Sequence, residues 1–291
     1  MKSYRIPSIA SKYTEYDMIQ IHTDLPALAH PRLQLLHSFL IRGHVYEKHS
    51  ELYTLVASLV QLGMDTHDRI NNDADSTQRA ESNMRAKQLK VLAGDYFSSI
   101  FYQLLAQAGQ IEMIAILSEA VCEVNRLKTN LYMRMKQMKL TADDYLSGMT
   151  QIRSELFQSF TALMDVEQSR AWQDLLVALT RCEVILEELE CLNDASNFEH
   201  SWAYWHVLQD GTESERALLT ESLIDSERVY ELVNKYDIHG KLTAKLNLAA
   251  EMVRTITAKL DPDFMNNEPI RILEEMLNRA AGRTPALHET R

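Results

Sequence analysis

Two short acidic segments hold the residue types best suited to chemistry in this chain. The first is Met64-Asp65-Thr66-His67-Asp68-Arg69-Ile70-Asn71-Asn72, in which Asp68 and Asn72 stand four apart. On a continuous helix that spacing puts both on one face. The second is Glu187-Glu188 with Cys191 three residues on. Carboxylates so spaced on facing helices hold hard divalent cations such as Mg²⁺, which then bind and neutralise phosphate oxygens. The details oppose that use here. Asn72 offers a neutral amide oxygen in place of a charge, and Arg69 sets a fixed positive charge beside Asp68. Glu187 and Glu188 are able to chelate weakly, but a run of acids on a helix is more often a solvated face. These residues predict no metal site of the chain's own.

The elements that must position these groups are helical. Apolar residues recur at helical spacing in Leu52, Leu55, Val56, Leu59, Val60 and Leu62, and again in Leu89, Leu92, Ala93, Tyr96, Phe97, Ile100, Phe101, Leu104 and Leu105. Gly109 is placed to end the second helix, and a third spans about Ile111 to Met138. Thr141-Ala142-Asp143-Asp144 and Thr212-Glu213-Ser214-Glu215 read as capping boxes, the second opening a helix to about Tyr236. Another helix covers about Ser169 to Leu192, and one more follows Gly240 to about Leu260. Asp261-Pro262-Asp263 reads as a turn, Glu268-Pro269 as a restart, and the last ten residues as frayed. Residues 190–212 are the least regular internal stretch. No period-two strand pair is found. With 291 residues, 46% of them hydrophobic, and only 8 Gly and 6 Pro, the pattern predicts an all-α fold. That fold is a single bundle of long helices over residues 51–291, preceded by a helical arm over 1–50.

Bulk properties narrow the function. A net charge of −11 opposes nucleic-acid binding. Cys122, Cys182 and Cys191 form neither a C-x-x-C pair nor a disulfide framework, which points to reduced thiols and a cytoplasmic location. The start, Met1-Lys2-Ser3-Tyr4-Arg5-Ile6-Pro7, has no apolar run after it, so no signal peptide or membrane span is expected.

The run from Ser58 to Asp75, followed by Leu89-Lys90-Val91-Leu92-Ala93-Gly94-Asp95-Tyr96-Phe97, resembles the first aspartate-rich region of the trans-polyprenyl diphosphate synthases. In that family it reads L-x-H-x-A-x-L-x-H-D-D-x-x-D-D-x-D-x-R-R-G, then L-L-A-G-D-Y-L. Asp68 stands at the first aspartate, Arg69 at the second and Asn72 at the third, while Thr77 and Gln78 replace the arginine pair. Leu140-Thr141-Ala142-Asp143-Asp144-Tyr145-Leu146 is similar to the family's L-T-x-x-D-Y-L, with Ile152 and Arg153 where a phosphate-contacting Lys-Thr pair follows. Trp172 to Glu188 resembles, without a gap, the region ending F-Q-L-I-D-D-x-x-D; Glu187, Glu188 and Cys191 take the aspartate places. The family's N-terminal Gly-Lys-Arg segment has no match in residues 20–45. Frame residues persist, and ligands, arginine pair and lysine are lost together.

Within that family the chain most resembles the small non-catalytic subunits, component I, of bacterial two-component heptaprenyl diphosphate synthases. The resemblance implies an isoprenoid-synthase fold and no catalytic residue, metal or cofactor in this chain. It implies a catalytic partner, component II, whose intact aspartates hold Mg²⁺. The pair would extend farnesyl diphosphate with isopentenyl diphosphate to the menaquinone side chain, and this chain alone would be inactive. Gly63 and Met64 occupy the positions that set product length in active relatives. Neither is an aromatic plug, so an open tunnel is one reading of them; a close helix approach at Gly63 is the other. In the aromatic stripe Tyr96, Phe97, Phe101 and Tyr102, most residues are expected in the core and the outward edge on the partner surface. Paired relatives associate through equivalent helices.

Other groups are weaker. The basic, Met-rich run Arg126 to Lys139 suits diphosphate, a membrane surface or a partner, although a plain exposed helix is favoured. His200, Trp202, Trp205 and His206 lack a metal-binding spacing and read as core or interface aromatics. His44 and His49 have no acidic orienting partner, and nucleophile-elbow, Walker and dinucleotide motifs are absent. Two further readings stay open: a helical interaction scaffold without a role in prenyl transfer, and a divergent active synthase using Asp68, Glu187 and Glu188.

Overall fold

The computed structural model describes residues 4–16, 19, 21, 23–43, 46–70, 80–220, 224–260 and 267–283. Among them every long element is an α-helix, as the periodicity predicts. The chain divides into two compact units.

Unit 1 comprises residues 1–120 with 162–165. It contains α1 (Ile6–Thr14), α2 (His30–Arg42), α3 (Ser50–Asp68), α4 (Ala80–Gln107) and the start of α5 (Ile111–Lys136). Its centre is α3, on which α1, α2 and α4 pack. Fourteen of the nineteen residues of α3 are buried, so it is a core helix and not an amphipathic surface one. Ile6 and Ala10 of the arm join Leu55, Leu59, Leu62, Ala93 and Phe97 in one apolar cluster. The arm is thus packed through its apolar side chains onto the same core as α3 and α4.

Unit 2 comprises residues 121–161 and 166–291. It holds the rest of α5, then α6 (Ala142–Gln158), α7 (Val166–Cys191), α8 (Trp202–Asp210), α9 (Glu213–Thr220), α10 (Ser226–Lys235), α11 (Ile238–Thr257) and α12 (Glu268–Arg283). Here α7 is central, flanked by α6, α11 and α12, while α8 packs on α6 and α9. The core includes Trp172, Trp202, Trp205, Phe157 and Phe160, each under 3% exposed.

Local caps explain several boundaries. Thr141 Oγ1 accepts the Asp144 N–H (3.0 Å) and starts α6, although Asp144 then turns to Arg134 (2.8 Å) rather than back to its own cap. Thr212 and Glu215 form the reciprocal box: the Thr212 N–H donates to Glu215 (3.0 Å) and the Glu215 N–H to Thr212 (3.4 Å). Gly109, at φ 69°, ends α4 as expected, with Gln110 N–H on the Leu105 carbonyl and Gly109 N–H on that of Ala106. Met138, at φ 55°, ends α5 with the same bond pattern to Arg134 and Met135.

Three expectations change. The helix opened by Thr212 does not run through to Tyr236: it is described as far as Thr220, residues 224–225 are not helical, and Asp225 caps a new helix through the Arg228 N–H (2.8 Å). The break before α11 falls at Asp237, in the left-handed region at φ 46°; Gly240 lies inside the first turn. The irregular stretch 190–212 contains α8, capped by Ser201. The turn expected at Asp261-Pro262-Asp263 and the frayed last residues from 284 lie outside the described residues. No helix among the described residues is long and apolar enough to cross a membrane.

Candidate functional site

In unit 1 the first acidic segment sits at the C-terminus of α3. That helix ends at Asp68, with the Arg69 N–H bonded to the Thr66 carbonyl (3.3 Å) and the Ile70 N–H to that of His67 (3.1 Å). The helix face expected to carry Asp68 and Asn72 together therefore stops at Asp68, and Asn72, Thr77 and Gln78 lie outside the described residues. The cause is local: a tightened last turn, and an Arg69 side chain drawn away from the helix. Its guanidinium donates to the Asp24 carbonyl (2.9 Å) and approaches the Asp24 carboxylate (3.4 Å). Asp68 itself is exposed. Gln61 donates to Asp65 (2.6 Å), and His67 Nε2 lies 3.4 Å from Asp95 of α4.

Gly63 marks where α3 crosses α4. A Cβ there would come 3.1 Å from the Gly94 carbonyl oxygen and 3.2 Å from Ser98 Oγ, tighter than ordinary van der Waals contact. Gly94 in turn leaves room for the His67 ring, which lies directly over it. Met64 is buried at 8% exposure. In the aromatic stripe of α4, Phe97 and Phe101 are buried, Tyr96 is half-buried, and Tyr102 is exposed. Only Tyr102 and Tyr96 reach outward, alongside Val91 and Leu92.

In unit 2 the second acidic segment lies in the last turns of α7. Glu187 is half exposed and is gripped through both oxygens by Arg153 of α6: Nη1 to Oε1 at 2.6 Å and Nη2 to Oε2 at 2.5 Å. Glu188 turns the other way and is 7% exposed. Tyr145 Oη donates to its Oε1 (3.0 Å), and the backbone N–H of Trp202 donates to its Oε2 (2.7 Å). Trp202 is the first residue of α8, so the carboxylate also faces a helix N-terminus. Burial raises the Glu188 pKa above the usual carboxylate range, and the Trp202 N–H, the Tyr145 hydroxyl and Arg153 work against that rise. Burial also raises the Tyr145 phenol. Cys191 is pushed up to about 11, first by burial and then by Glu188, Glu187 and Glu190, so it is a protonated thiol at neutral pH. Glu187 is half exposed but tied to Arg153, and Glu188 is no solvated face at all: Tyr145 and Trp202 supply the donors that a buried carboxylate needs.

The histidines and the basic run complete the survey. His200 is exposed, whereas His206 is buried, stacked on Trp202 at 4.9 Å and 8°. Its Nε2 is 2.7 Å from Lys241 Nζ and 3.5 Å from Asp210. His49 stacks on Tyr53, and His44 lies outside the described residues. In the Met-rich run, Tyr132 (62%), Met133 (46%) and Met138 (41%) are exposed. A groove of about 480 Å³ between α5 and α6 is lined by Leu127, Leu131, Met133, Arg134 and Ile152. Among the described residues, no group of three or more His, Cys, Asp or Glu side chains is arranged to hold a metal ion.

Comparison with known proteins places this geometry. The fold is similar to heptaprenyl diphosphate synthase from Staphylococcus aureus, with a TM-score of 0.71 at 10% identity, covering 96% of this chain and 97% of that one. It is similar to a decaprenyl diphosphate synthase from Rhodobacter capsulatus, with a TM-score of 0.68 at 16% identity over 94% and 95% of the two chains. At these identities the likeness is one of fold alone, and it is the all-α trans-prenyl synthase fold. In sequence, 83 residues are 37% identical to heptaprenyl diphosphate synthase component 1 of Geobacillus stearothermophilus. That match spans 28% of this chain and 34% of that relative, about a third of its length. Residues 16–236 match the family described as heptaprenyl diphosphate synthase (HEPPP synthase) subunit 1, and the chain belongs to that family.

Proposed function

We propose that this chain is the non-catalytic, regulatory subunit of a heteromeric long-chain all-trans polyprenyl diphosphate synthase. Its partner is a cytoplasmic catalytic subunit whose intact aspartate motifs hold Mg²⁺. Together they extend farnesyl diphosphate with isopentenyl diphosphate, giving the heptaprenyl chain used for menaquinone.

One observation carries the reading: the second acidic segment is already engaged by protein donors. Arg153 holds both oxygens of Glu187, while Tyr145 and the Trp202 N–H hold those of Glu188. A carboxylate in a bidentate arginine pair must break that pair before it can ligate a cation. Glu188 would have to leave a buried site where its loss strands two donors. Arg69 adds its own weight at the first segment, where it is drawn to Asp24. Product length is set in this proposal by apolar surface near Met64. Gly63 serves in this proposal the close approach of α3 to α4, where a Cβ would come 3.1 Å from the Gly94 carbonyl oxygen.

The test is reconstitution. The isolated chain, given Mg²⁺, farnesyl diphosphate and isopentenyl diphosphate, should form no product. Adding a catalytic subunit with both motifs intact, from the same organism, should yield long-chain product at a rate above that of the subunit alone. Turnover by the isolated chain, or no effect of the mixture, overturns the proposal.

A further inference from the structure

The basic run at the end of α5 stands out in an acidic chain. Residues 126–139 carry five of the chain's 30 basic residues and none of its 41 acidic ones, in a protein of net charge −11. They cover the last turns of α5 and the three residues after it. From Tyr132 to Lys139 every residue but Met135 is exposed, so Tyr132, Met133 and Met138 stand in water among Arg134, Lys136 and Lys139. Arg134 shares Asp144 (2.8 Å), whereas Lys136 and Lys139 make no ion pair with another described residue.

Cations in the last turn of a helix complement its dipole. The dipole gives no reason for three large apolar side chains beside them. Met138 holds the left-handed conformation that glycine adopts without strain, and its exposed side chain gains little packing in return. The groove between α5 and α6 continues the apolar surface through Leu127, Leu131 and Ile152, and Met133 and Arg134 line it too.

We propose that this end of α5 docks on an anionic lipid bilayer. Arg134, Lys136 and Lys139 meet the phosphate headgroups, while Tyr132, Met133 and Met138 enter the boundary between headgroups and acyl chains. Cations interspersed with an aromatic ring and flexible apolar side chains suit that boundary. Charge complementarity favours this occupant. The run carries +5 and the rest of the chain −16, so an anionic leaflet repels the remainder of the protein and attracts this end. The centre of a protein interface would be depleted of charge, and a free phosphate ion would leave the apolar side chains unused. The proposal stands independently of the two-component reading.

The test is flotation of the full chain with vesicles of phosphatidylcholine, alone or mixed with phosphatidylglycerol. The wild type should bind the anionic vesicles, lose that binding in high salt and ignore phosphatidylcholine alone. Lys136→Glu with Lys139→Glu should weaken binding by at least about 20-fold, at about 5-fold per cation. Arg170→Glu with Lys259→Glu makes the same change in net charge at exposed positions elsewhere, and should stay within about 3-fold of wild type. Met138→Gly should raise Tm and still weaken binding by about 5-fold, a pair of effects that misfolding does not produce. Far-UV circular dichroism verifies the lysine variant, and the two Lys→Gln changes serve if it is unstable. Absence of wild-type binding, equal binding to both vesicle types, or equal loss in the Arg170 and Lys259 variant overturns the proposal. So does inorganic pyrophosphate binding that depends on Lys136 and Lys139 in a chain that ignores vesicles, which makes the run a free-anion site. Weakened affinity of the lysine variant for a catalytic subunit, with no vesicle binding by the wild type, assigns the surface to a protein and overturns it as well.

Discussion

Replacing Glu188 with alanine tests the most consequential contact in unit 2. The side chain is 7% exposed and accepts from Tyr145 Oη (3.0 Å) and the Trp202 N–H (2.7 Å). Alanine leaves both donors buried without an acceptor, at about 1–3 kcal/mol each. Removing the carboxylate also relieves its own burial cost, the same cost that raises its pKa. The balance is a loss of about 2–4 kcal/mol. Unfolding entropy of about 2.1 cal/mol/K per residue gives about 0.6 kcal/mol/K for 291 residues, so ~3 kcal/mol should lower Tm by about 5 °C. Glu188→Gln keeps one acceptor but turns an NH₂ toward the other donor, and should cost about half as much. Urea unfolding of Glu188→Ala, Tyr145→Phe and the double variant closes a cycle with an expected coupling of about 1–2 kcal/mol. A Tm within 1 °C of wild type for Glu188→Ala, or additive single effects, would refute the claim that this carboxylate joins α6, α7 and α8.

Three smaller perturbations follow from other sites. Met138 ends α5 in the left-handed region, where a side chain costs about 1 kcal/mol; Met138→Gly should raise stability by about that amount in urea titrations. The Glu215 pKa is held well below the carboxylate range by Lys235, Tyr236 and the Thr212 N–H, so its contribution is complete above the unfolded value near 4.5 and is lost as pH falls through the lower folded value. Tm profiles should accordingly show an acid limb that is shallower in Glu215→Gln. Burial, then the Lys241 charge, lowers the His206 pKa below 6.5, so its imidazole proton resonances should titrate below that value and move upward in Lys241→Met. A His206 that titrates at or above 6.5 contradicts the Lys241 Nζ donation to a neutral ring.

Much of the fold was legible because local rules set it. Apolar spacing in α3 and α4, the capping threonines Thr141 and Thr212, and the Gly109 terminator each act within one or two turns. Helix α8 was missed for a physical reason. Trp202, Ala203, Tyr204, Trp205, His206 and Val207 are all buried, so the segment has no polar face and no 3.6-residue contrast. Its one local signal was Ser201, whose hydroxyl accepts the Tyr204 N–H. The break at Asp237 was hidden because aspartate also enters the left-handed region that glycine marks more plainly. The inward turn of Glu188 was invisible because its partners, Tyr145 and Trp202, are 43 and 14 residues distant. Acid runs on a helix read as solvated faces by default, and only tertiary donors distinguish the exception.

The pairings in the two acidic segments follow from electrostatics if the chain holds no cation of its own. Carboxylates gathered to grip a divalent ion repel one another once the ion is gone, and each partly buried charge then needs a new counter-charge or hydrogen-bond donor. Arg153 supplies a permanent cation to Glu187 at 2.6 and 2.5 Å. Glu188 finds uncharged donors instead, one of them at the start of α8. Arg69 turns its charge to Asp24. A fixed guanidinium cannot deprotonate or dissociate as a metal does. A segment neutralised in this way is therefore held in one state at all cation concentrations. Thermal stability that rises steeply with Mg²⁺ in the isolated chain would contradict this balance, because only an ion bound to the folded state produces that dependence.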